Sequence, residues 1–166
     1  YTGGFSVYAL RGNAKLVHSV DSSAKAIELT DKNVALNFSD QRHQSFAEDA
    51  FKYLQRYEKR EPFYDLIVLD PPAFAKHRDA VSNALKGYRR LNRKAFEMIR
   101  PGGIIFTFSC SQAITREQFR QAVFSAAAES KRNVRILHQL SQGIDHPINI
   151  YHPEGEYLKG LVLWVE

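Results

Sequence analysis

Four residues able to do chemistry stand where apolar runs of this chain end: Asp21, Asp49, Asp70 and Cys110. A carboxylate accepts hydrogen bonds from sugar hydroxyls and, when protonated, donates one; a thiol that ionises is a nucleophile. Cys110 is the sole cysteine, which excludes an intramolecular disulfide or multi-cysteine zinc cluster and leaves one thiol for covalent work. Gly3 and Gly4 join the set, because a missing side chain lets backbone approach a ligand closely. Each has a plainer reading beside the chemical one. Gly3 and Gly4 make a turn, Asp21 and Asp49 each precede a helical segment and suit its N-cap, and a lone cysteine is commonly a small buried hydrophobe. Asp70 is different: two prolines follow it, and no helix begins there for it to cap.

The elements that must position these residues alternate between β-rich apolar runs and longer helical stretches, the pattern of a parallel sheet covered by helices. Leu16 to Val20 reads as a strand ending at Asp21. Ser22 is expected to cap a helix to Asn37, with Ala26, Leu29, Asn33 and Leu36 as its stripe. A short strand is expected near Gln44 to Phe46, then a helix opened by Asp49 with Phe51, Leu54 and Tyr57 on one face and Pro62 beyond its end. Tyr64 to Leu69 is almost continuously apolar, the signature of a buried central strand. A helix over Val81 to Ile99 precedes a Pro101-Gly102-Gly103 turn and a strand over Ile104 to Ser109, which delivers Cys110 at its C-terminal end. Glu117 to Ser130 reads as a helix, Val134 to Leu140 and Gly160 to Val165 as the last strands. In open parallel sheets ligands bind beyond the C-terminal strand ends, where Asp21, Asp49, Asp70 and Cys110 all fall. Tyr1 to Phe5 is turn chemistry with no strand ahead of it, so the chain is expected to begin inside a domain whose first strand lies upstream.

At 166 residues and 44% hydrophobic, the chain has the size of one α/β domain, with no repeat or linker to divide it. The net charge of +5 makes a polyanion such as RNA a plausible partner. Lys76, His77, Arg78, Lys86, Tyr88, Arg89, Arg90, Arg93 and Lys94 concentrate after the Asp70 loop, either to track phosphates or as a solvated helix face. No apolar run reaches membrane-spanning length and no export signal opens the chain, so a cytoplasmic location is expected.

Taken in order, YTGGFSVYAL, HSVDSS, LDPPAF, GGIIFTFSCS, DHP and EGEYLKG resemble the class I S-adenosylmethionine-dependent methyltransferases, closest to the large-subunit ribosomal RNA cytosine-5 methyltransferases that carry an N-terminal PUA domain. The resemblance spans essentially the whole chain. It implies a Rossmann-like, doubly wound, mostly parallel sheet with a C-terminal antiparallel strand, and S-adenosylmethionine as cofactor. By it, Tyr1, Thr2, Gly3, Gly4 and Phe5 wrap the methionine part of the ligand, Asp21 with Ser22 holds the ribose, and Asp49 with Ala50 meets the adenine. Asp70 and Pro71 begin the loop between cofactor and target base, and Cys110 is the nucleophile acting on RNA.

The chemistry agrees with that assignment. C5 of cytosine attacks a sulfonium methyl only after a nucleophile adds at C6, and a thiolate there makes C5 enamine-like. Asp70, if protonated, can stabilise the adduct at N3. The better-known RNA cytosine-5 enzymes carry a second cysteine after the proline of this motif, whereas here Asp70-Pro71-Pro72-Ala73-Phe74 has none. The same stretch resembles the motif of enzymes that methylate exocyclic amino groups, with Phe74 stacking on the base. Amino methylation is therefore the alternative, although it leaves Cys110 without a task. A nicotinamide oxidoreductase would need GxGxxG, which is absent, and a catalytically silent RNA-binding module is the reading from another class. His146 and Lys159 fall in loops that match the family and stand outside the expected catalytic set.

Overall fold

The computed structural model describes residues 2–39, 41–56, 63–75 and 77–166. The expected cofactor residue Tyr1, the basic Lys76, and Tyr57 and Pro62 of the third-helix reading lie outside them. The chain divides into two compact units, Tyr1–Lys59 and Arg60–Glu166.

In the first unit, α1 (Gly4–Arg11) leads to β1 (Val17–Asp21), α2 (Ala24–Asn37), β2 (His43–Ala47) and α3 (Ala50–Gln55). β1 and β2 pair in parallel, Val17 opposite His43 and Asp21 opposite Ala47. Ser23, not Ser22, caps α2, its hydroxyl accepting from the Ala26 amide, while Ser22 is exposed. The Asp21 side chain accounts for the shift, since it takes the Ser23 amide at 2.8 Å and makes residues 21–23 a turn before the helix. The stripe expected on α2 is corrected too: Ala26, Ile27, Thr30 and Val34 are buried, and Leu36 is 83% exposed. Both sets have helical spacing; the buried face is rotated toward Ile27, Thr30 and Val34, which leaves Leu29 and Asn33 at its margin and Leu36 in solvent. On α3 the buried pair is Tyr53 and Leu54, not Phe51.

The second unit contains β3 (Tyr64–Leu69), α4 (Val81–Met98), β4 (Ile99–Ser109), α5 (Arg116–Glu129), β5 (Val134–Leu140) and β6 (Lys159–Val165). Its sheet has the order β3-β4-β6-β5. β3 and β4 are parallel, and β6 runs antiparallel to both β4 and β5. The C-terminal strand is thus wedged between two neighbours and is buried along nearly its whole length, as its continuous run Leu161-Val162-Leu163 requires. β3 pairs only with β4 within the sheet and has Leu66 half exposed, so within this unit it is an edge rather than the central strand its composition suggests. The Pro101-Gly102-Gly103 turn lies inside β4. Pairing jumps from Tyr64 opposite Ile99 to Leu66 opposite Ile104, and Gly102 takes φ +83°, so the turn is a bulge.

α4 presents Ala84, Tyr88, Leu91, Ala95 and Phe96 to the core at helical spacing. Burying Phe96 alone contributes about 1.5–3 kcal/mol relative to exposure. α5 begins with a complete capping box, Thr115 accepting from the Gln118 amide and Gln118 returning the contact to the Thr115 amide. No described helix is long and apolar enough to cross a membrane.

Candidate active site

In the first unit the possible ligand-holding groups meet at one end of the parallel pair. Ser6, in the first turn of α1, bonds Ser19 in the middle of β1 at 2.6 Å, while Arg42, just before β2, reaches the carbonyls of Leu10 and Ala14 after the helix has run its course. α1 therefore runs opposite to the strands, and its N-terminus lies at their C-terminal end with Asp21 and Asp49. Gly3 sits there with φ +83°, and a Cβ on it would stand 2.7 Å from Thr30 Cγ2 and 3.1 Å from the Thr30 backbone. Only glycine fits this turn. Asn33 Nδ2 donates to the Thr2 carbonyl at 2.8 Å and fastens the loop to α2. Gly4 has open space where its Cβ would be, and Phe5 is exposed.

Asp21 and Asp49 both do the capping work that their positions allow, Asp21 to Ser23 and Asp49 to the Lys52 amide at 3.0 Å. In each, the cap uses one oxygen, Oδ1, and the other carboxylate oxygen bonds no described residue. The capping and ligand readings are thus compatible. Ala50 follows at the first helical position, exposed. A glycine-backed helix N-terminus flanked by two carboxylates with a spare oxygen fits a ligand that carries ribose hydroxyls and an amino group, as S-adenosylmethionine does.

The second unit holds Asp70 and Cys110. Asp70 directly follows β3, and the chain passes through Pro71 and Pro72 to Phe74, whose ring packs on Tyr88 with centroids 4.7 Å apart. One face of Phe74 is therefore occupied by protein. Cys110 follows β4, half-buried, and its Sγ lies 3.9 Å from the Pro71 carbonyl, a weak contact that joins the two motifs. Burial, and secondarily the charge of Asp70, pushes the Cys110 thiol up; a backbone hydrogen bond and Lys159 pull it down without overcoming the rise. In the free protein the surroundings of Cys110 thus favour the neutral thiol. Asp70 has much of its surface open, yet protein packed around its carboxyl raises it above the ordinary aspartate range.

A buried polar cluster beneath Cys110 escaped the sequence reading. Ser109 Oγ donates to Tyr88 Oη at 3.0 Å, Tyr88 Oη and Ser111 Oγ lie 2.9 Å apart, and the Ala75 amide donates to Ser111 Oγ at 3.3 Å. Lys159 Nζ donates to the Ser111 carbonyl at 2.6 Å. Lys159 is not a loop residue: it opens β6 opposite Ser109 and is only 5% exposed. One signal could have found the cluster, because Thr107, Ser109 and Ser111 place a hydroxyl at every second position of an apolar strand, all facing inward.

The basic cluster divides: two of its members turn inward, while Arg89 and Arg90 are exposed and Arg93 is partly so. Tyr88 is fully buried, Lys94 is buried and bonds Glu97, and Arg89 and Arg93 pair with Glu129, Arg93 also with Glu97. Lys86 and His77 remain exposed.

Strands β3, β4 and β5 running one way, β6 against them, and residues with spare polar atoms at the strand ends define a Rossmann-like α/β methyltransferase fold. Residues 1–147 match the S-adenosylmethionine-dependent methyltransferase family, and the chain belongs to it. S-adenosylmethionine is accordingly its cofactor. It is 46% identical over 164 residues to the ribosomal RNA large subunit methyltransferase I of Tolumonas auensis, and 44% identical over 164 residues to that of Aeromonas hydrophila. These alignments cover 98% of this chain and 41% of each relative, so the chain spans about two-fifths of their length. Among solved structures, a protein assigned as a methyltransferase and complexed with SAH superimposes with a TM-score of 0.84 at 27% identity, over 99% of this chain and 43% of its own. A SAM-dependent methyltransferase assignment from Streptococcus mutans gives 0.84 at 25% identity, over 99% of this chain and 42% of that one.

Proposed function

We propose that the chain methylates C5 of a cytosine in large-subunit ribosomal RNA, through a covalent adduct between Cys110 and C6. The observation that carries the reading is the approach of Cys110 Sγ to the Asp70-Pro71 loop, which puts a thiol and a carboxyl with raised proton affinity beside one another. The relatives named for ribosomal RNA support the substrate, which would be met in the cytoplasm.

Bound S-adenosylmethionine supplies an electrophilic methyl group. Toward it, Gly3 and Gly4 would line the methionine part with Tyr1, Thr2 and Phe5 alongside, Asp21 with Ser22 would take the ribose, Asp49 with Ala50 the adenine, and Pro71 the approach to the base. The Cys110 thiol loses its proton to water and the sulfur pair adds to C6, breaking the C5–C6 double bond so that electron density reaches C5. Protonated Asp70 donates at N3 and relieves the charge that develops on the ring. Once C5 carries the methyl group, its proton leaves to a base, the C6–S bond breaks with its pair returning to sulfur, and the ring double bond re-forms. Protonation of Asp70 also removes the negative charge that opposes ionisation of Cys110, so the two groups favour opposite charge states in sequence.

Amino-group methylation would assign base stacking to Phe74, and the packing of that ring on Tyr88 leaves at most one face for it. The test uses the full-length protein, S-adenosylmethionine and RNA carrying 5-fluorocytidine, whose fluorine blocks the final elimination. A covalent adduct that forms in wild type and not in Cys110→Ala is the expected result. Methyl transfer to ordinary RNA that survives Cys110→Ala would overturn the mechanism in favour of amino methylation. Binding of RNA with no uptake of S-adenosylmethionine would return the protein to a silent binding module.

A further inference from the structure

We infer that Lys159 is a positioning residue for the Cys110 thiolate: its buried ammonium, held by the Ser111 carbonyl and without a bonded carboxylate among the described residues, is the fixed cation against which the thiol loses its proton. The inference rests on the reading of Cys110 as nucleophile. A lysine is almost never buried without a counter-ion, because taking the ammonium out of water is costly unless an anion compensates. Lys159 is 5% exposed, opens β6 and pairs in register with Ser109, the residue before the nucleophile. Its hydrogen bond at 2.6 Å ends on the residue after the nucleophile. Lys159 therefore meets both neighbours of Cys110, Ser109 through backbone register and Ser111 through its ammonium. Its acceptor is a neutral carbonyl, and among the described residues no carboxylate comes within ion-pair distance of the ammonium.

The charged groups around the pair sort simply. Asp70 opposes ionisation of Cys110 and Lys159 favours it; Lys159 in turn feels Cys110, Arg116 and Glu156, of which Arg116 and Glu156 are bonded to each other. Burial lowers the proton affinity of Lys159, and an anion at Cys110 restores it. A thiolate is thus the anion this site lacks. When it forms, the S–H bond breaks, the electron pair stays on sulfur, and the proton passes to water.

The experiment follows alkylation of Cys110 by iodoacetamide in the full-length protein across pH, read by mass on the Cys110 peptide. Lys159→Met is expected to raise the midpoint and so cut the thiolate fraction near neutrality, while Lys159→Arg keeps most of the wild-type midpoint. An unchanged midpoint in folded Lys159→Met overturns the inference. Should that variant fail to fold, the reciprocal measurement decides: pairing is mutual, so the Lys159 ammonium, followed by NMR with labelled lysine, should titrate at higher pH in wild type than in Cys110→Ser. Equal midpoints overturn it. A shifted thiol midpoint with no 5-fluorocytidine adduct in wild type would keep the electrostatic pairing and overturn its part in methyl transfer.

Discussion

The hydroxyl of Tyr88 accepts a hydrogen bond from Ser109 at 3.0 Å, in a position from which solvent is wholly excluded. That oxygen also meets Ser111 at 2.9 Å, so a helix side chain ties down the residues on either side of Cys110. Phe74 and Phe119 pack on the same ring, which makes Tyr88 the common support of the DPPAF loop and the nucleophile turn.

Tyr88→Phe keeps the ring and removes the oxygen, leaving Ser109 and Ser111 without it in a dry site. Unit stability should fall by about 1–3 kcal/mol in denaturant titration, with the m-value unchanged. A loss under a few tenths of a kcal/mol would mean that the serines re-pair at no cost.

Gly87 lies under Phe74, and a Cβ added there would stand 3.0 Å from Phe74 Cδ2. Alanine gains about 1 kcal/mol of helix propensity, which offsets the tight contact. Gly87→Ala should therefore melt close to wild type yet lose methyl transfer severalfold, because Phe74 must move and Asp70 is on the same loop. Full activity would show that the loop absorbs the shift.

Gly3→Ala meets both a left-handed φ of +83° and the Thr30 backbone. Strain of about 1–3 kcal/mol should weaken S-adenosylmethionine binding by about tenfold or more, read by calorimetry on the full-length protein. Unaltered affinity would remove this turn from the cofactor site.

His43 and His18 give the first unit a pH dependence. Burial lowers both imidazoles below the ordinary value; for His18 the neighbouring His43 adds to this, and for His43 the Asp31 carboxylate pulls back only in part. Neutral His43 suits the structure, since its Nε2 can accept from Ser19 at 2.8 Å. The unfolded chain takes up protons first as pH falls, so the contribution is whole above about pH 6.5 and is lost as pH descends through the folded-state values. Protection factors of the β1 and β2 amides, taken relative to intrinsic exchange at each pH, should fall between pH 7.5 and 5.5, with a shallower dependence in His43→Gln. Identical slopes in the two proteins would count against His43 as the titrating group.

The strand ends were legible because apolar, β-prone runs stop at polar or turn-forming residues. Tyr64–Leu69 and Val134–Leu140 match their expected bounds, and Cys110 falls at the end of β4 as read. Local chemistry misled where two neighbours compete for one task. Ser22 and Ser23 are equivalent as sequence, and the Asp21 carboxylate, by taking the Ser23 amide, decides between them.

By itself the sequence determined the alternation of strands and helices, the four chemical groups at strand ends, and the resemblance that names a cofactor, since each depends on residue type and spacing along the chain. Only the tertiary structure decided that Tyr88 and Lys94 turn inward, while Arg89 and Arg93 stay partly exposed and pair with Glu129. It alone brought Lys159 beside Ser109 and Ser111, from 48 residues further along the chain than Ser111. Antiparallel pairing of β6 with β4 sets that contact, and register between distant strands is fixed by the packing of whole faces, which no local pattern encodes.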